Sequence, residues 1–344
     1  MKKWLQAMLV AISLLITPAF IYEIACTSLI HGITSDIALS YYILISYFGG
    51  IIMKSSGYLI VGGDDRLVEL TKIFERNGFY ISTYGMDKVE IKNVRNHPSL
   101  DDALKNCGVV LCPIPFAKDV DKINSKYSNA EIKIEELFSR LRQDQLLLLG
   151  AMNNYGKELA AKYSVDYIDY YKDESYQIQN TIPTVEGALS IIINGTSETL
   201  FGSKVLVLGY GRIGKLLSGY LKGMGASVYV EARKDSDLTW ISTNAMKAVP
   251  IDELSLYLGQ MDVIVNTVPA MILDCRLLQL VRKEAFILDL ASAPGGIDFA
   301  CAEEIGIKAV HALGIPGKVA SRSAAMYIYE TIMKYLENRR ESTQ

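Results

Sequence analysis

The stretch Val205-Leu206-Val207-Leu208-Gly209-Tyr210-Gly211-Arg212-Ile213-Gly214 determines the fold class of this 344-residue chain. Its four apolar residues predict a buried parallel strand, and its glycines follow at the G-x-G-x-x-G spacing. A helical pattern over residues 215–224 comes next. In such a turn Gly209 permits the bend, Gly211 lets the backbone approach a pyrophosphate, and Gly214 lets the helix pack closely on the strand. The free N–H groups at the helix start favour phosphate, so the stretch predicts dinucleotide binding.

The end of the following strand indicates which dinucleotide binds. We expect the strand over 227–231 to end near Ala232, where Arg233 and Lys234 follow. A small residue followed by two cations suits the 2′-phosphate of NADP(H), because charge-assisted hydrogen bonds to phosphate are strong. If Glu231 is the last strand residue, its carboxylate would accept from a ribose 2′-OH and NAD would be favoured. The sequence favours NADP(H), with NAD as the alternative.

The candidate cofactor-binding residues lie at this turn and at the ends of strands that should border the same crevice. Thr267 follows a strand over 262–265, and Ser292 follows one over 286–290, so both should face the crevice. The predicted cofactor set is Gly209, Gly211, Arg212, Ile213, Gly214, Arg233, Lys234, Thr267, Val268, Pro269, Ala291 and Ser292.

Composition excludes several functional classes. The formal net charge is −3 and the sequence pI is about 5.8, and no basic stripe suggests a nucleic-acid partner. The five cysteines form no C-x-x-C pair and are expected to be reduced thiols, mostly in the core. The three histidines are scattered, so no metal site is expected.

The first 53 residues differ from the rest of the chain. Residues 4–22 and 37–53 carry no charged side chain, and each run approaches the ~20 residues that a helix needs to cross a bilayer. Lys2, Lys3 and Lys54 flank the two runs, so the positive-inside tendency predicts a membrane hairpin with cytoplasmic ends. The alternative is a misplaced start, with translation beginning at Met53. A second apolar span argues against a secretory signal peptide.

Strand and helix patterns alternate along the remainder and predict an α/β protein with two parallel sheets. In the first half, we expect strands over 58–61, 78–81, 109–112, 145–149 and 165–168, with a polar helical stretch over 131–143. In the second half, we expect strands over 205–208, 227–231, 262–265, 286–290 and 307–311.

These patterns divide the chain into an N-terminal domain, a bridge, a Rossmann domain and a final helix. We place the N-terminal domain at 57–180 and a bridging segment at 181–200, in which Pro183 stops the preceding structure and Thr184 caps a helix over 185–200. The Rossmann domain covers 201–318, and a last helix within 319–344 returns to the first domain. The expected ligand site is the cleft between the domains.

The chain resembles the dipicolinate synthase A-chain family from about residue 57 to its C-terminus. The resemblance rests on motifs in family order: Gly62-Gly63-Asp64-x-Arg66, Ile182-Pro183-Thr184-x-Glu186-Gly187-Ala188, the glycine turn, Asn266-Thr267-x-Pro269-Ala270, Asp289-Leu290-Ala291-Ser292-x-Pro294-Gly295-Gly296-x-Asp298-Phe299 and Gly314-Ile315-Pro316-Gly317-Lys318-Val319-Ala320. The family usually continues with Pro-Lys-Thr-Ala, where this chain has Ser321-Arg322-Ser323-Ala324. This change removes a rigid proline and alters the hydrogen-bond geometry of the cation.

The resemblance implies a fold and an activity. The fold would be a flavodoxin-like N-terminal domain plus an NAD(P)-binding Rossmann domain, arranged as in formate and D-2-hydroxyacid dehydrogenases. The activity would be an NADP-linked oxidation of dihydrodipicolinate to dipicolinate during sporulation, in the mother-cell cytoplasm, and the partner would be the dipicolinate synthase B subunit. Membrane association would follow only if residues 1–53 are real, and a homo-oligomer stays open.

The proposed substrate carries two carboxylates, which need cationic or N–H donors. The substrate-binding candidates are Gly63, Arg66, Thr184, Lys318 and Arg322. We expect Asp64 or Asp65 to cap the helix after the Gly62-Gly63 turn, because both would repel a dianion. Aromatisation drives the reaction, so a strong base is not required; Glu186 and His311 are the candidate proton acceptors.

Two alternatives remain at this point. One is a 2-hydroxyacid or amino-acid dehydrogenase of the same build, although no late His with an upstream Glu and Arg is found. The other is a membrane-tethered nucleotide-binding sensor without catalysis, which the apolar N-terminus favours and the loop motifs disfavour.

Overall fold

The computed structural model describes residues 57–341, with side chains described to residue 339. The hairpin and start-site interpretations of residues 1–53 therefore lie outside the described residues. No helix between residues 57 and 341 is long and apolar enough to span a membrane. The described chain builds two six-stranded sheets in which every strand pair is parallel.

The first sheet has the strand order β3-β2-β1-β4-β5-β6. Its strands are β1 Tyr58–Val61, β2 Ile81–Tyr84, β3 Arg95–His97, β4 Val109–Leu111, β5 Leu146–Leu149 and β6 Tyr167–Asp169. Its helices are α1 Asp65–Arg76, α2 Leu100–Leu104, α3 Ile134–Phe138 and α4 Asn154–Tyr163. Strands β1 and β5 are buried throughout, as expected for central strands with helices on both faces.

The second sheet has the strand order β12-β11-β10-β7-β8-β9. Its strands are β7 Lys204–Leu208, β8 Ser227–Ala232, β9 Lys247–Pro250, β10 Val263–Asn266, β11 Phe286–Asp289 and β12 Lys308–His311. Its helices are α7 Arg212–Gly223, α8 Asp235–Thr243, α9 Cys275–Leu278 and α10 Phe299–Glu304. Counted from its own first strand, this is the doubly wound order 3-2-1-4-5-6, and it opens a crevice where β7 and β10 diverge.

Four further helices connect the sheets. They are α5 Glu174–Gln179, α6 Thr181–Gly195, α11 Ile315–Val319 and α12 Ser321–Glu341. Helix α12 packs on α1, with the Phe74 and Tyr329 rings 5.1 Å apart, and Lys334 reaches Asp173 just before α5. The last helix therefore lies against elements of the first half of the chain.

The predicted fold class is confirmed, and one detail extends it. Without the three-residue edge strand β3, the first sheet has the flavodoxin-like order 2-1-3-4-5 that was expected. With β3 it repeats the order of the second sheet. The predictions missed β3 and β9, which are short edge strands with polar residues and no clear apolar run.

Several predicted element bounds were wrong. The strand expected over 78–81 is β2 at Ile81–Tyr84, because the preceding residues form the turn after α1. The helical stretch expected over 131–143 shrinks to the five residues of α3. Helix α6 begins at Thr181 rather than 185, since a proline is tolerated in the first turn and Pro183 does not end the helix. Helix α7 begins at Arg212 rather than 215.

The expectation that all cysteines are reduced thiols was also wrong for one pair. Cys275 begins α9 and Cys301 lies in α10, and the two form a disulfide with Cα atoms 5.4 Å apart. Packing of α9 and α10 brings together residues that are 26 positions apart in sequence. Cys107 and Cys112 are free and buried, as predicted for core thiols.

Candidate functional site

The glycine turn after β7 has the geometry that each of its glycines was predicted to supply. Gly209 has a φ of +91°, in the region that favours glycine. A Cβ on Gly214 would lie 2.1 Å from the carbonyl oxygen of Gly209, so only glycine allows this close approach. A Cβ on Gly211 would meet nothing within 4 Å. The turn is therefore tight on its inner side, and it is open at Gly211, where a pyrophosphate would approach the protein backbone.

Helix α7 begins directly at this opening. Its N-cap is Gly211, and no side chain caps the first-turn amides. The positive end of the helix dipole and these N–H groups form a natural phosphate cradle. The residues present thus fit a dinucleotide, with Arg212 first in the helix and Ile213 packed against the core.

A cavity of about 1080 Å³ opens at this turn. Its walls come from the carboxyl ends of β7, β8 and β10 on one side and from α5 and α6 on the other. Eight predicted cofactor residues line it: Gly209, Gly211, Arg212, Arg233, Lys234, Thr267, Val268 and Pro269. Ile213, Gly214, Ala291 and Ser292 are not in its wall. Glu231, named as the ribose contact of the NAD alternative, and Ala232, named as the strand end, also line it. The sequence predictions missed the other lining residues: Glu174, Ile178, Thr181, Ile182, Tyr210, Lys215, Leu216 and Asp237.

At one end of the cavity, β8 ends at Ala232, as expected, and Glu231 lies just before the end. The register pairs Glu231 with Leu208, and its Oε2 accepts a hydrogen bond from the Gly209 amide at 3.1 Å. Glu231 is 1% exposed, and Oε1 has no hydrogen-bond partner in the described chain. Burial raises the pKa of Glu231, while the Gly209 amide and the charge of Arg233 act in the opposite direction.

A buried polar network fixes the opposite strand ends. Asn266 Nδ2 donates to Asp289 Oδ1 at 2.7 Å, and Asp289 also accepts from the amides of Ala291 and Gly296. The Thr267 hydroxyl donates to the Leu208 carbonyl at 2.8 Å. These bonds hold the loops after β10 and β11 in place, and they occupy the amide of Ala291.

An ion pair bridges the two walls of the cavity. Arg212 Nε and Nη2 donate to the two carboxylate oxygens of Glu174 at 2.9 and 2.8 Å. Glu174 lies in the first turn of α5, whereas Arg212 begins α7. The cation that begins the helix of the phosphate cradle is therefore paired with a carboxylate from the opposite wall.

The N-terminal turn places Arg66 in a buried, paired position. Asp64 caps α1, as expected of one of the two aspartates, by accepting from the Arg66 amide. The Arg66 side chain is 6% exposed; its Nη2 donates to Asp64 at 2.6 Å and also to the Ile114 carbonyl. Burial lowers the pKa of Arg66, but the hydrogen bond and charge of Asp64 outweigh it and raise the pKa.

Comparison with known proteins places this geometry in a family. Residues 57–171 match the family described as the N-terminal domain of the dipicolinate synthase A subunit. The A subunit of dipicolinate synthase from Bacillus subtilis (strain 168) is 30% identical over 285 residues, covering 80% of this chain and 94% of the relative. The chain belongs to the dipicolinate synthase A-chain family.

Solved structures of the family agree with this assignment. A crystal structure of the dipicolinate synthase A subunit from Bacillus halodurans has a TM-score of 0.77 at 29% identity, covering 83% of this chain and 98% of that one. The A chain from Bacillus subtilis has a TM-score of 0.75 at 28% identity, covering 84% and 98%. Residues 192–294 match the NAD-binding domain of D-isomer-specific 2-hydroxyacid dehydrogenases. An oxidoreductase that uses a nicotinamide dinucleotide is thus supported.

The residues predicted to bind substrate in this family member are spread around α1, α6 and α11. The Gly63 amide already donates to the Asn124 carbonyl at 2.7 Å. Thr184 lies inside α6 rather than at its N-cap, and its hydroxyl donates to the Asn180 carbonyl at 2.9 Å. Neither group is a free donor, which follows from the earlier start of α6 and from the pairing of the Gly63 turn with residues 124–126.

The cations of the late loop are more accessible. Lys318 is exposed in α11, and its Nζ donates to the Leu313 carbonyl at 2.9 Å. Arg322 is exposed near the start of α12 and makes no ion pair within the described residues. A Cβ on Gly317 would lie 3.2 Å from Arg66 Nε, so α11 lies directly against Arg66.

The two candidate proton acceptors have different environments. His311 is half-buried, its Nε2 lies 2.9 Å from the Ala291 carbonyl, and its ring stacks on Phe299 with 5.5 Å between centroids. Glu186 is exposed on α6.

Within residues 57–341, His, Cys, Asp and Glu side chains form no group of three that could hold a metal ion.

Proposed function

We propose that this chain is the dehydrogenase component of a dipicolinate synthase, which oxidises dihydrodipicolinate to dipicolinate with NADP⁺. The observation that carries the proposal is the open glycine cradle of a 1080 Å³ cavity in a chain belonging to this family. By the same relationship, we propose that its partner is a B subunit, and that it acts in sporulation in the mother-cell cytoplasm.

NADP(H) is the proposed form of the cofactor because of the residues after β8. Ala232 ends the strand without a carboxylate at its tip, and the exposed Arg233 and Lys234 follow. Neither cation forms an ion pair within the described chain. Both can therefore meet a 2′-phosphate, with Arg233 able to bind it through two hydrogen bonds. The buried Glu231 is the feature that favours NAD, since its Oε1 lacks a partner among the described residues.

The chemistry requires that a hydride and a proton leave the dihydropyridine ring. When bound, the dinucleotide supplies the hydride acceptor. The protein's task is to orient the ring and to exclude water.

We propose that Arg66, Lys318 and Arg322 hold the two carboxylates. Nη1 of Arg66 makes no hydrogen bond within the described chain, and α11, which carries Lys318, lies against the Arg66 side chain. Gly63 and Thr184 shape the wall of the substrate site, but their N–H and O–H groups already donate within the protein. Glu186 or His311 accepts the proton that leaves the ring.

The test is to mix the purified chain, with and without its B subunit, with dihydrodipicolinate and either NADP⁺ or NAD⁺. We expect NADPH absorbance and the pyridine product to rise together. Absence of both under all four conditions would contradict the proposal and favour a nucleotide-binding sensor.

Cofactor choice is tested separately by measuring the dissociation constants of NADP⁺ and NAD⁺ for Arg233→Ala. We expect about tenfold weaker NADP⁺ binding, because a charge-assisted hydrogen bond to phosphate is lost, and little change for NAD⁺. Arg276→Ala, an exposed arginine in α9 outside the cavity wall, is the control. An unchanged NADP⁺ preference would remove Arg233 from the site, and an NAD⁺ preference in the wild type would assign the ribose contact to Glu231.

A further inference from the structure

Two residues of the glycine-turn wall have no role in the function proposed so far. Tyr210 stands between Gly209 and Gly211, and Lys215 lies one turn into α7. The Nζ of Lys215 lies 5.4 Å from the centroid of the Tyr210 ring, within range of a cation–π contact. Both line the cavity. Lys215 is exposed, and its ammonium group lies beside the ring at the glycine turn.

Lys215 differs from the other cation of this wall in its charge balance. Arg212, three residues earlier, is paired with Glu174 through two hydrogen bonds. Lys215 has no carboxylate partner in the part of the chain that the structure describes. Lys215 can therefore contact a ligand without first breaking an ion pair, whereas Arg212 cannot.

Tyr210 and Lys215 lie near the cations that follow β8. Tyr210 comes directly after Gly209, whose amide donates to Glu231 Oε2 at 3.1 Å, and Arg233 comes two residues after Glu231. Tyr210, Lys215, Arg233 and Lys234 all line the cavity. Both pairs therefore belong to the part of the wall where β7 and β8 end.

Lys215 also sets the net formal charge of the cavity wall. With the Arg212–Glu174 pair counted as neutral, the remaining cations of the wall are Lys215, Arg233 and Lys234, and the carboxylates are Glu231 and Asp237. Without Lys215 these formal charges cancel. With Lys215 the wall is net positive, which favours a phosphate dianion.

We propose that Lys215, beside the ring of Tyr210, contacts the 2′-phosphate of NADP(H) from the glycine-turn wall, together with Arg233 and Lys234. This inference rests on the proposed function, because it needs a phosphorylated dinucleotide in the cavity. Lys215 is then a specificity-determining residue, and Tyr210 is the residue that positions it.

The test compares two mononucleotide probes by calorimetry on the full chain. Adenosine 2′,5′-bisphosphate carries the 2′-phosphate, and adenosine 5′-monophosphate lacks it. We expect Lys215→Met to weaken the bisphosphate about tenfold and the monophosphate less than twofold, because only the former contacts the ammonium group. Lys215→Arg should restore most of the affinity. The matched control is Lys222→Met, in the last turn of the same helix, where the Nζ donates to the Asn244 carbonyl.

The ring is tested in the same assay. Tyr210→Phe keeps the face of the ring and should bind the bisphosphate as the wild type does. Tyr210→Leu removes the cation–π contact and should weaken the bisphosphate severalfold.

Each contrary result has a separate meaning. Equal weakening of both probes by Lys215→Met would assign Lys215 to the 5′-phosphate and overturn the inference. No change with Lys215→Met, together with a loss with Arg233→Ala, would overturn the inference and leave the proposed NADP site intact. Equal affinity of the wild type for both probes would overturn the proposed NADP preference and this inference together.

Discussion

At the scale of single residues, the cofactor end of the cavity contains a conflict between burial and charge. Glu231 keeps one oxygen on the Gly209 amide, but its other oxygen is buried without a partner among the described residues. Such a group costs stability when ionised, because the lost hydration is only partly replaced. A ribose hydroxyl or a cation that contacts this second oxygen would relieve the cost.

The first prediction concerns Glu231→Gln and protein stability. The folded pKa of Glu231 is raised, so the folded state holds the proton more tightly than the unfolded state does. Burial of Glu231 therefore costs the wild type no stability below the pKa of the unfolded state. The free energy of unfolding falls as the pH rises through the pKa of the folded state. The variant has no charge to bury, and its carbonyl oxygen can still accept from Gly209. We expect it to be more stable than wild type near neutral pH, on the order of 1 kcal/mol, and equal at acid pH.

Urea unfolding at several pH values measures this difference. Glu158→Gln, an exposed carboxylate in α4, serves as the control and should follow the wild type throughout. A variant that is less stable than the wild type at neutral pH but equally stable at acid pH would contradict the prediction, because it would show that the folded protein stabilises the ionised form of Glu231.

At the scale of elements, the sequence predicts those parts whose physics is local. The β7 strand, the glycine turn and the end of β8 at Ala232 follow from apolar runs and glycine spacing, and the structure confirms them. Edge strands β3 and β9 carry no such pattern, because they gain stability from pairing with a neighbour rather than from their own residues. The start of α6 was misjudged because Pro183 was interpreted as a stop rather than as a first-turn residue.

Side-chain contacts within the site could not be predicted from the sequence for a different reason. Tyr210 and Lys215 are five positions apart, and only the turn into α7 brings ring and ammonium together. Glu174 and Arg212 form an ion pair across the cavity, and no sequence pattern predicts such a pair. The candidate site could therefore be located, but eight of its eighteen lining residues could not be named.

The disulfide between α9 and α10 gives a second prediction at this scale. A crosslink that closes a loop of 26 residues stabilises a protein by about 3 kcal/mol, chiefly by restricting the unfolded chain. We expect dithiothreitol to lower the wild-type free energy of unfolding by roughly that amount. The double variant Cys275→Ala/Cys301→Ala, which retains the other cysteines, should not respond to the reductant. A wild-type protein that is equally stable with and without reductant would contradict the crosslink.

At the scale of the whole molecule, α6 and α12 connect the elements of the two sheets, and α5 and α6 face the ends of β7, β8 and β10 across the cavity. An ion pair between Glu174 and Arg212 also crosses this cavity. The two side chains are 63% and 44% exposed, so the pair is solvated and contributes little to stability. The position of this pair matters more than its strength, since Arg212 begins the helix whose N-terminus is the proposed phosphate site. Ligand binding must therefore take Arg212 from Glu174 or leave that cation neutralised.

The last prediction follows from this competition for Arg212. In Glu174→Gln the guanidinium is free before the ligand arrives, and its full charge is available to the pyrophosphate. We expect the dissociation constant of NADP⁺ to fall by about two- to fivefold at low salt, as suits a solvated ion pair, and the gain to disappear as salt screens the charges. Calorimetric titration of Glu174→Gln, of Arg212→Met and of the double variant isolates the coupling. In the Arg212→Met background the Glu174 substitution should have no effect. A gain that persists there would show that Glu174 opposes the ligand directly, and weaker binding by Glu174→Gln would mean that the ion pair holds the two walls in the binding arrangement.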